Sequence, residues 1–153
     1  MRSYPELTAA LEQRLGNHPV RRFLDFRILE LGPDRCTLSI ELKPEIDNTT
    51  GAVHGGILAM LADTAVAFAL STAFDGEMSF VTSNLNIHFL RRARSAVTAS
   101  ATIIKKGSRV CVGSCELRDE TGQQVATATC DFVLLTPPDP SPQRGGDAIP
   151  ASD

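Results

Sequence analysis

Apolar and polar positions change their spacing several times along the chain, and each change marks a new element. From Ile57 to Ala73 the residues are apolar nearly all round a helical wheel, which is typical of a helix buried on every side. After Asp75 and Gly76 the pattern changes to strand-like alternation, with runs over 79–90, 96–105, 110–118 and 125–135. Short turn sequences join the last three runs, which predicts a meander of hairpin-linked strands.

The N-terminal part of the chain predicts one short helix and one hairpin. Leu7, Leu11 and Leu15 recur every four residues, which indicates a helix over 6–15 that ends at Gly16. The runs 23–31 and 35–42 flank a Gly-Pro-Asp turn and predict a β-hairpin. The element order favours an α+β domain. Because a flat sheet cannot cover a helix that is apolar all round, we expect a curved antiparallel sheet wrapped around it, with a second subunit over the remainder.

Composition fits one soluble domain. The 153 residues are 42% hydrophobic and 22% charged, and the net charge of -3 argues against non-specific nucleic-acid binding. The N-terminus does not resemble a signal peptide, and polar residues interrupt the longest apolar run, so we expect a cytoplasmic protein without membrane association. We predict a helical lead-in over 1–22, the main domain over 23–136, and a disordered tail over 137–153 that is rich in Pro, Gly, Ser and Asp.

The cysteines predict neither a metal site nor a disulfide framework. None of the four forms a C-x-x-C pair, and no histidine lies near them in sequence. Three of them lie in apolar, strand-like runs. We therefore expect reduced, buried thiols at Cys36, Cys111, Cys115 and Cys130.

Asp63 is the anomalous residue, because it places a charge two turns into an otherwise apolar helix. A buried carboxylate must be paired, hydrogen-bonded or protonated, so its role is either structural or catalytic. Gly55 and Gly56 at the helix start let a ligand approach backbone N–H groups that suit a developing oxyanion. Gly56 N–H is the candidate donor, as in thioester hydrolysis. We expect His54 to anchor the loop by a hydrogen bond, and the Asn48 amide to hold a carbonyl or a water.

These residues also carry a family resemblance. The run Asn48-x-x-Gly51-x-x-His54-Gly55-Gly56, followed by Leu-Ala-Asp-Thr-Ala at 61–65, resembles the hotdog-fold thioesterases of the phenylacetate-degradation (PaaI-like) type. The similarity spans about 23–135 and includes 84–90 and the turn at 106–109. It implies the hotdog fold, dimers with continuous sheets that often pair again into tetramers, and an active site at the dimer interface. There Asp63 of one subunit would face Gly56 and Asn48 of the other.

The resemblance implies hydrolysis of an acyl- or aryl-acyl-CoA to the free acid and CoA. Asp63 would act as general base or as nucleophile, and no cofactor is implied beyond the CoA of the substrate. Thr82, or its neighbour Ser83, would place a hydroxyl near the attacking water. Arg92 stands where the family commonly has proline. The residues expected to bind the CoA moiety, including its phosphates, are Gly55, Ser83, Arg91, Arg92, Lys106, Gly107, Ser108 and Arg109.

Two other functions fit the same residues. A hotdog hydratase or dehydratase would need His54 and Asp63 to converge on the acyl chain of an enoyl or 3-hydroxyacyl thioester. A non-catalytic acyl-CoA binding module would keep the tunnel and the basic rim without needing Asp63. The acyl group itself stays open between aryl, phenylacetyl and medium-chain groups.

Overall fold

The long apolar run forms the central helix. In a computed structural model, which describes residues 1–135, helix α3 spans Gly55–Ser71 and a short 3-10 turn continues it over Thr72–Phe74. Leu61, Ala65 and Leu70 are fully buried along it. By length and composition alone, Gly55–Phe74 is apolar enough to cross a membrane. Its burial against the sheet identifies it instead as the core helix of the fold.

A six-stranded antiparallel sheet wraps around α3, and the helix contacts every strand. The strands follow the order β1-β2-β4-β5-β6-β3, so β4, β5 and β6 form the predicted meander and β3 lies at an edge. This arrangement confirms the predicted α+β hotdog fold. The strand bounds are β1 Arg27–Gly32, β2 Arg35–Ile40, β3 Phe80–Phe89, β4 Val97–Lys106, β5 Val110–Asp119 and β6 Gln124–Leu134.

Alternating side chains separate the two faces of the sheet. On β5 the residues that face α3 are Cys111, Gly113, Cys115 and Leu117, and all four are buried. The four cysteines are free and buried, as predicted. Burial raises the pKa of the Cys36 and Cys130 thiols to about 12, so at neutral pH they are protonated and unreactive.

The N-terminal segment contains two helices rather than one. Helix α1 spans Tyr4–Leu15 and buries Leu7 and Leu11, as the leucine spacing predicts. Helix α2 spans Pro19–Leu24, so the prediction of a strand beginning at residue 23 is wrong. Pro19 occupies the first helical turn, where its missing N–H has no intrahelical partner to lose, and it therefore begins a helix. The predicted tail over 137–153 lies outside the described residues.

Candidate functional site

Asp63 lies on the side of α3 that faces the edge strand β3. Thr82 Oγ1 donates a hydrogen bond of 2.8 Å to Asp63 Oδ1. Asp63 is half-buried and Thr82 is exposed, so solvent or a ligand can reach the pair. Within residues 1–135, no Lys, Arg or His side chain forms an ion pair with Asp63. The carboxylate is therefore held by a single hydroxyl and is not locked in a charged network.

The environment of Asp63 raises its pKa above the ordinary carboxyl range. Partial burial is the larger cause, because it disfavours the charged form. The hydrogen bond from Thr82 acts in the opposite direction and lowers the pKa in part. A carboxylate with a raised pKa accepts a proton more readily than an exposed one, which suits a general base.

Strand alternation places Thr82, two residues after the buried Phe80, on the face of β3 towards α3, and a β-bulge follows at Ser83. The register between β3 and β6 shifts between Thr82 and Asn84, which leaves Ser83 as the extra residue. Bulges of this kind redirect neighbouring side chains. Ser83 Oγ donates to the backbone carbonyl of Asp131 at 3.1 Å. Of the two hydroxyls that the sequence offered, the structure therefore places only the Thr82 hydroxyl on Asp63.

His54 anchors the start of α3. Its backbone N–H donates to the Ile46 carbonyl, and its Nδ1 accepts a 2.9 Å hydrogen bond from Gly56 N–H. Within the single chain the Gly56 amide is therefore already bonded, and it could donate to an oxyanion only by exchanging that partner. In the described part of the chain, the neighbouring Gly55 N–H has no acceptor. The helix start thus offers one free amide and one exchangeable amide.

Asn48 closes its own loop through its side-chain oxygen. Oδ1 accepts from Thr50 N, Thr50 Oγ1 and Ala52 N, so only the side-chain N–H₂ remains for a ligand. Asn48 lines an open cleft of about 350 Å³ whose lining also includes Gly55, Phe89, Arg91 and Arg92. The predicted residues Asn48, Gly55, Arg91 and Arg92 therefore share one cleft.

Within one chain the structure separates the basic residues expected to bind CoA into two groups. Arg91 and Arg92 form the first group, which lies near the start of β6, where Arg91 N–H donates to the Val125 carbonyl. The second group lies in the β4–β5 turn, at the opposite end of β4. Ten strand residues span roughly 30 Å. Lys106 in that turn pairs with Asp34 at 2.7 Å. The turn requires a glycine at position 107, because an added Cβ would lie 2.4 Å from the Val110 carbonyl oxygen. The side chains of Ser108 and Arg109 are exposed there.

Asp63 and the helix start do not converge within one chain. Gly56 and Asp63 are about two helical turns, or roughly 10 Å, apart along α3. Asp63 lies at the Thr82 end of β3, and Gly55 lies beside Phe89 at the other end: an added Gly55 Cβ would be 3.3 Å from the Phe89 ring. The sequence did not reveal this contact, because nothing in the spacing of positions 55 and 89 links them. Within a single chain the two parts therefore lie at opposite ends of β3 and do not share one reaction centre.

Comparison with known proteins gives the family. The model of the thioesterase superfamily matches residues 50–126, half of the chain and the part that contains Asp63, Thr82 and the helix start. The chain belongs to the thioesterase superfamily. It is accordingly an enzyme of the thioester hydrolase class.

Individual relatives agree with this assignment. A Saccharolobus solfataricus protein, provisionally named an esterase, is 31% identical over 115 residues, which cover 74% of this chain and 81% of that protein. The 1,4-dihydroxy-2-naphthoyl-CoA hydrolase of Escherichia coli is 26% identical over 85% of this chain and 96% of its own length. The structure of the E. coli PaaI protein superposes with a TM-score of 0.76 over 88% of this chain and 97% of that one, at 22% identity. The last comparison confirms the fold implied by the resemblance.

Proposed function

We propose that this enzyme hydrolyses an acyl-CoA thioester to the free acid and CoA, with Asp63 as the catalytic carboxylate. The observation that carries the proposal is the position of Asp63: half-buried, without a cation, bonded to one hydroxyl and accessible beside an edge strand. A purely structural carboxylate in an apolar helix would be expected to have all its lone pairs satisfied. Asp63 Oδ2 has no donor among the described residues, so it is free to bond a water.

The chemistry needs few groups. Asp63 removes a proton from water as the water oxygen attacks the thioester carbonyl carbon, and the carbonyl oxygen becomes an oxyanion. Collapse of this intermediate breaks the C–S bond, and the CoA thiolate leaves and takes up a proton. Alternatively Asp63 attacks the carbonyl carbon itself, the C–S bond breaks and the CoA thiolate leaves, and water then hydrolyses the resulting mixed anhydride to the free acid and the Asp63 carboxylate. In both routes Thr82 orients the carboxylate, and amide donors at a helix start stabilise the oxyanion.

A dimer through β3 would complete the site. This ten-residue edge strand leaves backbone N–H and C=O groups unpaired on one side, and its side chains at 81–84 are all exposed. If two copies of β3 pair antiparallel about a two-fold axis, the Thr82 end of one strand lies against the Phe89 end of the other. Asp63 of one subunit would then approach Gly55, Gly56 and Asn48 of the partner subunit.

The same pairing would reunite the two basic groups. Leu134 N–H bonds the Arg109 carbonyl, so the β4–β5 turn lies at the same end of the sheet as Phe80 and Thr82. Arg91 and Arg92 follow Phe89 closely in the chain. Because the Phe89 end of the partner's β3 would lie against the Thr82 end of this one, Arg91 and Arg92 of the partner subunit would lie near the β4–β5 turn. Arginine and lysine from both subunits could then bind the phosphates of CoA.

We extend the proposal to assembly and location. The resemblance implies that such dimers pair again into a tetramer, and four buried, reduced thiols suit the reducing cytoplasm. Sedimentation would give the number of subunits. A monomer in solution would contradict the shared site.

The proposed activity is tested by measuring thiol release from a panel of aryl-, phenylacetyl- and medium-chain acyl-CoAs. Asp63→Asn keeps the shape of the side chain but removes the base, and turnover should fall by about 10²–10⁴-fold, the usual contribution of general-base catalysis. Asp131→Asn is the matched control, because Asp131 pairs with Asn84 on the opposite face of the sheet. Near-wild-type turnover in Asp63→Asn would overturn the assignment.

Hydration of enoyl-CoA is measured in parallel. The hydratase alternative requires His54 to act on the acyl chain, but Nδ1 of His54 is already bonded to Gly56 N–H. We therefore expect thiol release without hydration. Hydration without thiol release would replace the thioesterase proposal. Binding of the whole panel without turnover would favour the non-catalytic module.

A further inference from the structure

Helix α3 is covered on two sides, and a narrow stripe along it stays open. Leu61 and Ala65 face the sheet and are fully buried. On another side, Phe68 packs edge to face against Phe26, with ring centres 5.7 Å apart. The open positions recur at spacings of four, three and four residues, so they share one face of the helix. They are the exposed residues Gly56 and Met60 and the half-buried residues Asp63 and Ala67.

Met60 is the largest side chain in this stripe, and it lies between the two parts of the proposed site. It is 37% exposed, although its side chain is apolar. On a helix, residues three or four positions apart have Cβ atoms about 5–6 Å from each other. Met60 is therefore a direct neighbour of Asp63 on one side and of Gly56 on the other. It supplies exposed apolar surface that adjoins the carboxylate itself.

Two contacts locate the two-fold axis of the proposed dimer relative to α3. Asp63 bonds Thr82 near one end of β3, and Gly55 lies beside Phe89 at the other end. When β3 pairs antiparallel with its copy, the axis passes through the middle of the strand. The corresponding middle of the helix segment 55–63 is at residues 59 and 60. Met60 therefore lies close to the axis and approaches Met60 of the partner subunit.

The two substituents of the thioester carbon must leave it in different directions. In the proposed arrangement this carbon lies between Asp63 and the helix start of the partner subunit. The sulfur side leads to the basic residues at the Thr82 end of the sheet, where Leu134 N–H bonds the Arg109 carbonyl. The acyl group lies on the other side of the carbon and is directed away from that end, towards the axis and Met60.

We propose that the Met60 side chains of both subunits bound the acyl group and set the length of acyl chain that the enzyme accepts. The inference rests on the proposed acyl-CoA thioesterase activity with its shared site, and it adds a specificity residue. Methionine suits this role, because its flexible, polarisable thioether adapts to the shape of an apolar ligand. Asp63 is the one charged residue of α3. The substrate class is therefore an acyl-CoA whose acyl group is apolar.

The test measures kcat/KM by thiol release for straight-chain acyl-CoAs from butyryl-CoA to dodecanoyl-CoA. Met60→Ala removes the side chain beyond Cβ, so the preferred chain should lengthen by about two or three methylene groups. Relative to the best wild-type substrate, the longer chain should gain about tenfold or more, the usual value of a methylene in an apolar pocket. Met60→Trp should shorten the preferred chain. Met60→Leu, which nearly conserves volume, should leave the preference unchanged.

Ala67→Met is the matched control for direction. It places the same side chain one helical turn from Asp63 on the side away from the axis, and it should leave the preferred chain length unchanged. A preference that moves with Ala67→Met and not with the Met60 variants would overturn the proposal. Equal loss of turnover with every acyl-CoA in Met60→Ala would mark Met60 as structural and would also overturn it.

The position of Met60 on the axis is tested by cross-linking. Met60→Cys is treated with a short bifunctional maleimide and should give a covalent dimer on a denaturing gel. The four native thiols are buried and should not react in the folded protein. Ile104→Cys is the control, because Ile104 is exposed on β4, which β5 and β6 separate from β3; it should stay monomeric. Absence of the Met60→Cys cross-link would overturn the shared boundary.

Binding separates this proposal from the activity on which it rests. Kd values are measured by calorimetry for non-hydrolysable thioether analogues of the same acyl-CoAs. A chain-length preference in Kd that moves in Met60→Ala, without any turnover, would retain the role of Met60 and reject the thioesterase. Turnover with the same preferred chain length in the wild type, Met60→Ala and Met60→Trp would reject the role of Met60 and leave the activity standing.

Discussion

Gly113 on β5 sets how closely α3 approaches the sheet. A Cβ added at this position would lie 2.4 Å from Val66 Cγ1 and 3.3 Å from the Thr102 carbonyl oxygen. Val66 is fully buried, and its β-branched side chain has essentially one rotamer in a helix, so it cannot rotate away. Ordinary carbon–carbon contact begins near 3.5 Å, and the helix and sheet would therefore have to separate locally by about 1 Å.

We expect Gly113→Ala to lower the free energy of unfolding by about 1–3 kcal/mol, the usual cost of overpacking a core. Tm should fall by about 2–4 °C for each kcal/mol. Turnover should fall as well, because Val66 lies one helical turn from Asp63 and any displacement of α3 alters the contact between Asp63 and Thr82. Urea unfolding followed by circular dichroism, together with thiol release at saturating substrate, measures both effects.

Two further variants test the cause. Ser114→Ala changes the next residue of the same strand, on the opposite face, and should leave stability within about 0.5 kcal/mol of wild type. Val66→Ala in the Gly113→Ala background removes the clashing methyl group. In this background Val66→Ala should lower the free energy of unfolding by about 0.5–3 kcal/mol less than it does in the wild type, because coupling between residues in contact falls in that range. Wild-type stability of Gly113→Ala, or strictly additive effects, would refute the steric argument.

Three other expectations follow from the site. Thr82→Val removes the hydrogen bond that lowers the Asp63 pKa, so the acidic limb of the kcat/KM profile should move to higher pH; an unmoved limb would mean that the contact is unimportant in solution. Burial raises the Asp63 pKa in the folded state, so the folded protein binds the carboxyl proton more tightly than the unfolded chain does. The contribution of Asp63 to the free energy of unfolding therefore falls as the pH rises from below the ordinary carboxyl pKa to above the raised pKa of the folded state. Asp63→Asn should therefore unfold at no lower urea concentration than wild type at neutral pH, and a large loss of stability would indicate a structural role. His54→Ala removes the cap on Gly56 N–H and should cost about 0.5–2 kcal/mol in thermal unfolding, with His54→Asn recovering most of it; equal losses in both would argue against capping.

The parts of the fold that follow from local patterning could be predicted from the sequence. The all-round apolar run gave α3, and alternation with turn residues gave the meander β4–β6, because both depend on residues close together in the chain. Helix α2 was not predicted, since the leucine spacing indicates one helix that ends at Gly16, whereas Pro19 begins a second, short helix. The position of β3 beside β6 is a long-range pairing that no local pattern encodes.

The candidate site, like the fold, could be predicted only where it depends on residues close together in the chain. Asp63 was predicted because a charge in an apolar helix is visible in sequence, and its hydroxyl partner Thr82 followed from the resemblance. The division of the basic residues between two ends of the sheet could not be predicted, because position in the chain does not tell which end of a sheet a turn occupies.

The central claim, that Asp63 of one subunit works with the helix start of another, is tested most directly by a mixed dimer. Asp63→Asn and Gly56→Leu subunits, each inactive alone, are co-expressed with different tags, and the hetero-dimer is purified by both tags. Two-fold symmetry then gives one site with both defects and one site with neither, so thiol release should return to about half of the wild-type rate per dimer. A hetero-dimer as inactive as its parents would show that each site is built within one chain and would contradict the account.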